Sequence, residues 1–212
     1  EQTIYEISGN NNRDGVLFLC EHPLCISMGR EATRTDIRLD QPALEERTIP
    51  VHWLSRGGGA FSHAPGQLAV YLLLPLNQLQ IGISEYREKL ETAVRDSCRE
   101  LKIPAKRRNS EPGIWGRAGH LAYFGGGLRS GVTCFGMYLN VDIASEHLSL
   151  TTTNPVSEKA TSVQAQRLQP TNMAQIREAV MRHIADQFDY TDTDVSTGHP
   201  LLKRRSVSNR ET

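Results

Sequence analysis

Arg56, Gly57, Gly58 and Gly59, in the segment LSRGGGAFSHAPGQLAVYLLLPL, are the run of residue types best suited to chemistry in this chain. Three consecutive glycines allow positive φ and close backbone approach. A loop of this kind can turn several N–H groups toward a carbonyl, carboxylate or phosphate, while Arg56 adds a fixed charge and a planar donor fork. The expected chemistry is an anion or carbonyl cradle, and the plain alternative is a glycine-rich turn whose arginine pairs with a surface carboxylate. A second run, Gly125 to Gly127, reads equally as another cradle or as a hairpin turn. The cysteines are Cys20, Cys25, Cys98 and Cys134, and no pair has the short spacing of a zinc site or redox dithiol. Cys20 in VLFLCEHP and Cys98 on an apolar helical stripe read as small buried hydrophobes, with Cys25 and Cys134 left open. His22, His52, His147, His183 and His199 show no ligand spacing, so no metal is expected. Trp53 and Trp115 lie in apolar contexts and read as packing residues.

The elements that would hold the glycine loop follow from periodicity. Clusters of β-branched, aromatic and other apolar residues predict strands at Val16 to Leu19, Val51 to Leu54, Leu68 to Leu74, Leu121 to Phe124, Val132 to Val141 and Leu148 to Thr152. Several are too apolar for a solvated face, which implies sheets covered by helices. Ser84 is placed to N-cap a helix through Leu101, with Tyr86, Leu90, Ala93, Val94 and Leu101 near helical spacing and Pro104 just beyond its end. A second helix starts after Asn172, with Gln175 as capping-box partner and Ile176, Ala179, Val180, Ile184 and Phe188 as its buried stripe. The irregular alternation of strands and helices favours a mixed α/β or α+β sheet over a doubly wound parallel one. Residues 1–190 read as one domain and 191–212 as a mobile tail with little apolar content, whose KRR run is a solvated charge cluster.

The chain has 212 residues, 24 basic and 24 acidic side chains and 38% apolar content, which suits one globular domain. Zero formal net charge supplies no field for gathering nucleic acid or coating an anionic membrane. No apolar run reaches the roughly 20 residues that cross a bilayer, and the first residues are too polar for a secretion signal. A cytoplasmic protein is expected.

With those elements in place, RGGGAFSHAPGQLAVY resembles the RGG-x-x-T-x-H-x-PGQL-x-x-Y signature of the lipoyl(octanoyl) transferases, within the biotin/lipoate protein ligase catalytic-domain superfamily. Only the threonine position departs, being Phe61. LCEHPLCISMGRE is similar to that family's EHP and GR segment, EPGIWGRAGHLAYFG to its W and KIA stretch, and VTCFGMYLNVDI to its VT-x-HG-x-A-L-N-V strand. The resemblance spans roughly Val16 to Thr153. It implies a biotin/lipoate ligase-type domain of mixed sheets flanked by helices. The implied activity takes an octanoyl chain from acyl carrier protein to a lysine of a lipoyl domain. No cofactor is expected; those two proteins are the implied partners, with neither nucleic acid nor membrane among them.

The resemblance places Arg56, Gly57, Gly58, Gly59, His63, Gly66 and Gln67 on the loop framing the acyl site, and Gly125 and Asn140 on later motif positions. In this family a cysteine attacks the thioester, a lysine lowers its pKa and handles protons, and backbone donors hold the oxyanion. Here His120 stands at the lysine position, Phe135 at the HG histidine, and Asn154, or Thr152 or Thr153 with a shifted loop, at the cysteine. An unactivated threonine is a far weaker nucleophile, and asparagine cannot form the thioester. Cys134 is a candidate relocated nucleophile if it faces the cleft beside His120 or His63. Direct transfer from thioester to amine, with positioning alone, is the other route. Three functions follow: an acyltransferase with altered chemistry, an ATP-dependent lipoate or biotin ligase, and a non-catalytic acyl- or protein-binding relative. All require the arginine–triglycine turn and the GHLAYFG strand to border one cavity large enough for an acyl tail, and convergence of His63 and His120 on the turn beside an empty apolar groove would make the site competent to bind an acyl group.

Overall fold

A computed structural model of the chain describes residues 2–10, 12–108, 111–152 and 159–198. The chain runs α1 (Gln2–Gly9), β1 (Val16–Cys20), β2 (Cys25–Met28), α2 (Gln41–Glu46), β3 (Val51–Trp53), β4 (Ala60–His63), β5 (Gln67–Leu73), α3 (Leu76–Leu79) and α4 (Ile83–Glu100). It continues through β6 (Lys106–Arg108), β7 (Glu111–Trp115), β8 (His120–Arg129), β9 (Val132–Asn140), α5 (Ser145–Leu148) and α6 (Met173–Gln187).

Six strands form an antiparallel sheet in the order β1-β5-β9-β8-β7-β6, and three form a small mixed sheet in the order β3-β2-β4. The strand period of two sorts the side chains of the large sheet. Leu68, Val70 and Leu72 of β5 and Met137 and Leu139 of β9 point to a core shared with Tyr86, Leu90, Ala93 and Val94 of α4 and Ile176, Val180 and Ile184 of α6. Ala69 of β5, Tyr123 of β8 and Tyr138 of β9 join Phe61 of β4 in a separate aromatic cluster. Helices therefore cover one face and the small sheet approaches the other. The expected mixed α/β architecture of sheets flanked by helices is the observed one.

Three expectations are corrected. Leu148 to Thr152 is not a strand: Leu148 ends α5, and Thr151 makes only an isolated bridge to Ile37. Helix α4 begins one residue before Ser84, and its N-cap is Gly82 in extended conformation without a side-chain cap. Asn172 caps α6 as expected, accepting from the amides of Ala174 and Gln175. Trp115 is fully buried, whereas Trp53, expected to pack, is 66% exposed on edge strand β3. No described residue between 191 and 198 enters a regular element, and residues 199–212, with His199 and the KRR run, lie outside the described residues.

Candidate active site

The arginine–triglycine turn joins β3 to β4 and lies directly on β8: Gly57 donates its amide to the carbonyl of Gly126 at 2.8 Å. Gly58 sits at φ 76°, a left-handed conformation that glycine adopts without strain. Gly125 is needed for a different reason. A Cβ there would come 2.8 Å from the Phe61 ring and 3.0 Å from Arg56 Cδ. The two glycine runs thus pack against each other, and the turn and the GHLAYFG strand lie side by side.

The turn does not present the open cradle expected of it. Gly58 donates to Glu31 Oε1 at 3.0 Å and accepts from the Glu31 amide at 3.2 Å, so a carboxylate of this chain already occupies that donor. Gly59 accepts from the Gly29 amide at 3.1 Å. Arg56 points inward and is fully buried. Its Nη1 donates to the Gly57 carbonyl at 2.9 Å, and its Nη2 donates to both the carbonyl and the hydroxyl of Ser27 at 2.7 Å. The guanidinium lies 3.8 Å over the Phe61 ring, a cation–π contact in a dry setting. Burial draws its pKa down to about 10, which leaves it a cation at neutral pH. Neither a donor fork open to ligand nor a surface pair describes Arg56; it pins β2 to the turn.

From Arg56 the polar contacts continue inward in one direction. His63 Nδ1 lies 2.7 Å from Gln67 Oε1, which can only accept, so the ring proton is on Nδ1. Burial drives the His63 pKa down to about 3 and keeps the ring neutral. Its Nε2 therefore accepts from Ser27 Oγ, 2.6 Å away. Gln67 Nε2 donates to Asn140 Oδ1 at 2.9 Å, and Asn140 Nδ2 donates to the carbonyl of Thr161 at 3.1 Å. Every link donates the same way: Arg56, Ser27, His63, Gln67, Asn140, then Thr161. Such aligned chains polarise one another and are costly to break at any link. The chain begins at a cation and ends on the segment that follows residues 153–158.

That segment is also held by His120. Its amide donates to the carbonyl of Lys159 and its carbonyl accepts from Thr161, each at 2.9 Å. The His120 ring lies flat on Trp115, with centroids 4.5 Å apart and an interplanar angle of 4°, and meets Tyr123 edge-on at 4.7 Å. Gly113, at φ 120°, makes room for it, since a Cβ there would sit 2.4 Å from His120 Nε2. Gly66, at φ 90°, closes the turn between β4 and β5; its amide donates to Glu21 Oε2 at 2.8 Å and its carbonyl accepts from Val141 and Asp142.

His63 and His120 do not converge on an empty groove. Phe61 stacks on Tyr123 at 5.1 Å, Tyr138 meets Phe61 at 5.6 Å and His63 at 4.7 Å, and these rings fill the space from Arg56 to His120. Cys134 on β9 is partly buried, and the side chains acting electrostatically on it are Arg129 and Arg30, with neither His63 nor His120 among them. Thr153 and Asn154 lie outside the described residues. Sequence reasoning overlooked Ser27, Tyr123, Tyr138 and Thr161, which complete the network; Ser27, inside the CISMGRE segment, carried no chemical signal by type alone. It also read Cys20 as buried, whereas Cys20 is partly exposed with His22 Nε2 4.0 Å from its sulfur. Among the described residues no group of three or more His, Cys, Asp or Glu side chains could hold a metal ion, and no helix is long and apolar enough to cross a membrane.

Comparison with known proteins agrees with this architecture. The family described as lipoyl protein ligase A/B catalytic domain matches residues 1–188. A relative named octanoyltransferase from Clostridium kluyveri is 31% identical over 150 residues, covering 71% of this chain and 64% of that protein. Another of that name from Alkaliphilus metalliredigens is 27% identical over 179 residues, covering 84% of this chain and 82% of its own length. This chain thus spans less than two thirds of the first and about four fifths of the second. Among solved structures, lipoate-protein ligase A bound with ATP superposes with a TM-score of 0.71 at 17% identity, covering 89% of this chain and 78% of that one. The bipartite lipoate protein ligase of Thermoplasma acidophilum gives 0.70 at 16% identity, covering 89% and 78%. At these identities the two structures speak to the fold alone.

Proposed function

Because this chain belongs to the lipoyl protein ligase A/B catalytic-domain family, we propose that it moves a medium-chain acyl group from a thioester donor to a protein lysine. The donor in this reading is acyl carrier protein, the acceptor a lipoyl domain, and residues 1–190 the catalytic domain. Two relatives named octanoyltransferase support it. The observation that carries it is the one-way chain of donors from Arg56 to Thr161, which locks the motif residues Arg56, His63, Gln67 and Asn140 into one buried scaffold. A scaffold of that stiffness holds donor thioester and acceptor amine in fixed register, where positioning alone contributes several kcal/mol to a transfer. Chemistry through ATP asks for a long cationic side chain at position 120; a histidine ring flat against Trp115 supplies none.

One observation favours a non-catalytic relative instead. Phe61, standing where the signature has threonine, and Tyr123 and Tyr138 occupy the space expected to receive the acyl tail. Incubation with octanoyl-loaded carrier protein, or with ATP plus octanoate, each with an acceptor lipoyl domain, separates the readings through the intact mass of the acceptor. Octanoylated acceptor with the loaded carrier and no ATP is the expected result. Acylation only with ATP makes the chain a ligase, and an unchanged acceptor in both arms makes it a binding module.

A further inference from the structure

The chain lacks a cysteine at the position where its family's signature places one, yet a different cysteine stands beside a histidine at the edge of the same aromatic cluster. Cys20 ends β1, and its partner across the sheet is Ala69 of β5. The next residues leave the sheet, and His22 Nε2 lies 4.0 Å from the Cys20 sulfur. That Nε2 also lies 2.6 Å from the Tyr71 hydroxyl, and Tyr71 is hydrogen-bonded in turn to Tyr138. The His22 ring packs edge-on against His63 at 5.7 Å. Cys20, His22 and Tyr71 thus form a thiol, base and hydroxyl series next to the buried scaffold. All three are partly exposed.

Position separates Cys20 from the other cysteines. Cys20, Tyr71 and Ala160 pack against one cluster, made of Phe61, Ala69, Tyr123 and Tyr138. Ala160 is bridged to His120 and belongs to the arm that follows residues 153–158, where the signature calls for the nucleophile. Cys98 is buried on the core face of α4, and Cys134 lies by Gly127, whose added Cβ would come 3.0 Å from its sulfur, with Arg129 and Arg30 acting on it.

We propose, resting on the acyltransferase reading, that Cys20 is the residue that accepts the acyl group and that His22 is its proton acceptor. For the attack His22 is the Nδ1–H tautomer, and its Nε2 lone pair turns from the Tyr71 hydroxyl to the thiol; Nε2 then takes the thiol proton as the sulfur attacks the thioester carbonyl. The new sulfur–carbon bond forms, the donor's sulfur–carbon bond breaks, and the leaving thiolate takes the proton from the imidazolium. In the second half the lysine amine attacks the Cys20 thioester, the carbon–nitrogen bond forms, and the amine's proton returns through His22 to the departing Cys20 thiolate. No oxidant, metal or nucleotide enters either half. Burial raises the Cys20 thiol and lowers His22, so the resting pair is a neutral thiol and a neutral imidazole, and His22 works as a general base.

The test uses the full chain with the octanoyl thioester of N-acetylcysteamine, intact-mass and peptide mapping, and in parallel octanoyl-loaded carrier protein with the acceptor domain. One octanoyl group on Cys20 is expected. Cys20→Ser and Cys20→Ala, checked for wild-type melting, are expected to lose the adduct and to slow acceptor acylation by about 100-fold or more. His22→Gln should still form the adduct, at a rate lowered about 100-fold. Cys25→Ser and Cys134→Ser are expected to label like wild type. An adduct on Cys134 or Cys25, no adduct on any cysteine, or folded Cys20 variants that acylate acceptor at the wild-type rate would each overturn the assignment. The last result leaves the transferase reading standing. An adduct on Cys20 with an acceptor that is never acylated upholds the thiol and removes the transferase.

Discussion

His63 is held neutral by burial, with its folded pKa near 3 against an unfolded value of 6.5. Between those values the unfolded chain binds a proton that the folded chain refuses. The stability His63 lends is therefore whole above about pH 6.5 and is lost as pH falls toward 3, with a slope near 1.4 kcal/mol per unit. Urea melts at neutral pH and near pH 5 should show that loss, and His63→Gln should flatten the slope between them. Gly125 makes a second residue-scale case. Gly125→Ala drives a methyl into Phe61 and Arg56 and is expected to cost about 2 kcal/mol, as overpacking of a closed core does. Phe61→Leu should recover part of that in a double-mutant cycle read by thermal melting. Residue type announced the glycines, and the family resemblance pointed to His63. It was silent on the direction of Arg56, because the partner that draws the guanidinium inward, Ser27, sits on β2 and is brought there only by pairing with β4.

At the scale of elements, most long periodic segments were readable, and of the short strands β1 and β3 were but β2, β4, β6 and β7 were not. Strands β5 and β9 and helices α4 and α6 carry enough turns or alternations to show their period, whereas β8 was read only over Leu121 to Phe124, because its Gly125 to Gly127 run, which signalled a turn or a cradle, is strand paired with Cys134 to Gly136. Strand β4 is only AFSH, all four residues buried, so it has no alternation to read. Strand β2 is CISM, equally brief. The segment Leu148 to Thr152 misled because its apolar residues serve two separate contacts. Leu148 packs with Ala64 and Ile143, whereas Leu150 packs into the small-sheet core with Ile26 and Met28. Two element-scale outcomes follow. Asn172→Ala removes both capping bonds of α6 and should lower stability by about 1 kcal/mol in chemical denaturation. Glu91 of α4 is a buried carboxylate that accepts from the Gly113 amide at 2.8 Å and from Arg107 Nε at 3.0 Å. Since Gly113 seats the His120 ring, Glu91→Ala is expected to cost about 3 kcal/mol and to loosen the His120 environment, visible as a changed Trp115 emission.

Across the whole molecule, the glycine turn of one sheet and the GHLAYFG strand of the other do lie together, joined by the Gly57 to Gly126 bond. The sequence pointed to that adjacency through motif order. It could not foretell that aromatic rings would fill the shared space, because Phe61, Tyr123 and Tyr138 come from three strands whose registers meet only in the folded chain. What unites the parts is the donor chain from Arg56 to Thr161, crossing from the small sheet through β5 and β9 to the arm beyond residues 153–158. The most direct test of that account is the initial rate of acceptor-lysine octanoylation from octanoyl-loaded carrier protein without nucleotide, compared between wild type and Asn140→Ala. The account predicts a rate above the uncatalysed background, lowered about 10-fold or more when Asn140 no longer links Gln67 to Thr161. A wild-type rate equal to background, or an undiminished rate in a folded Asn140→Ala protein, would contradict it.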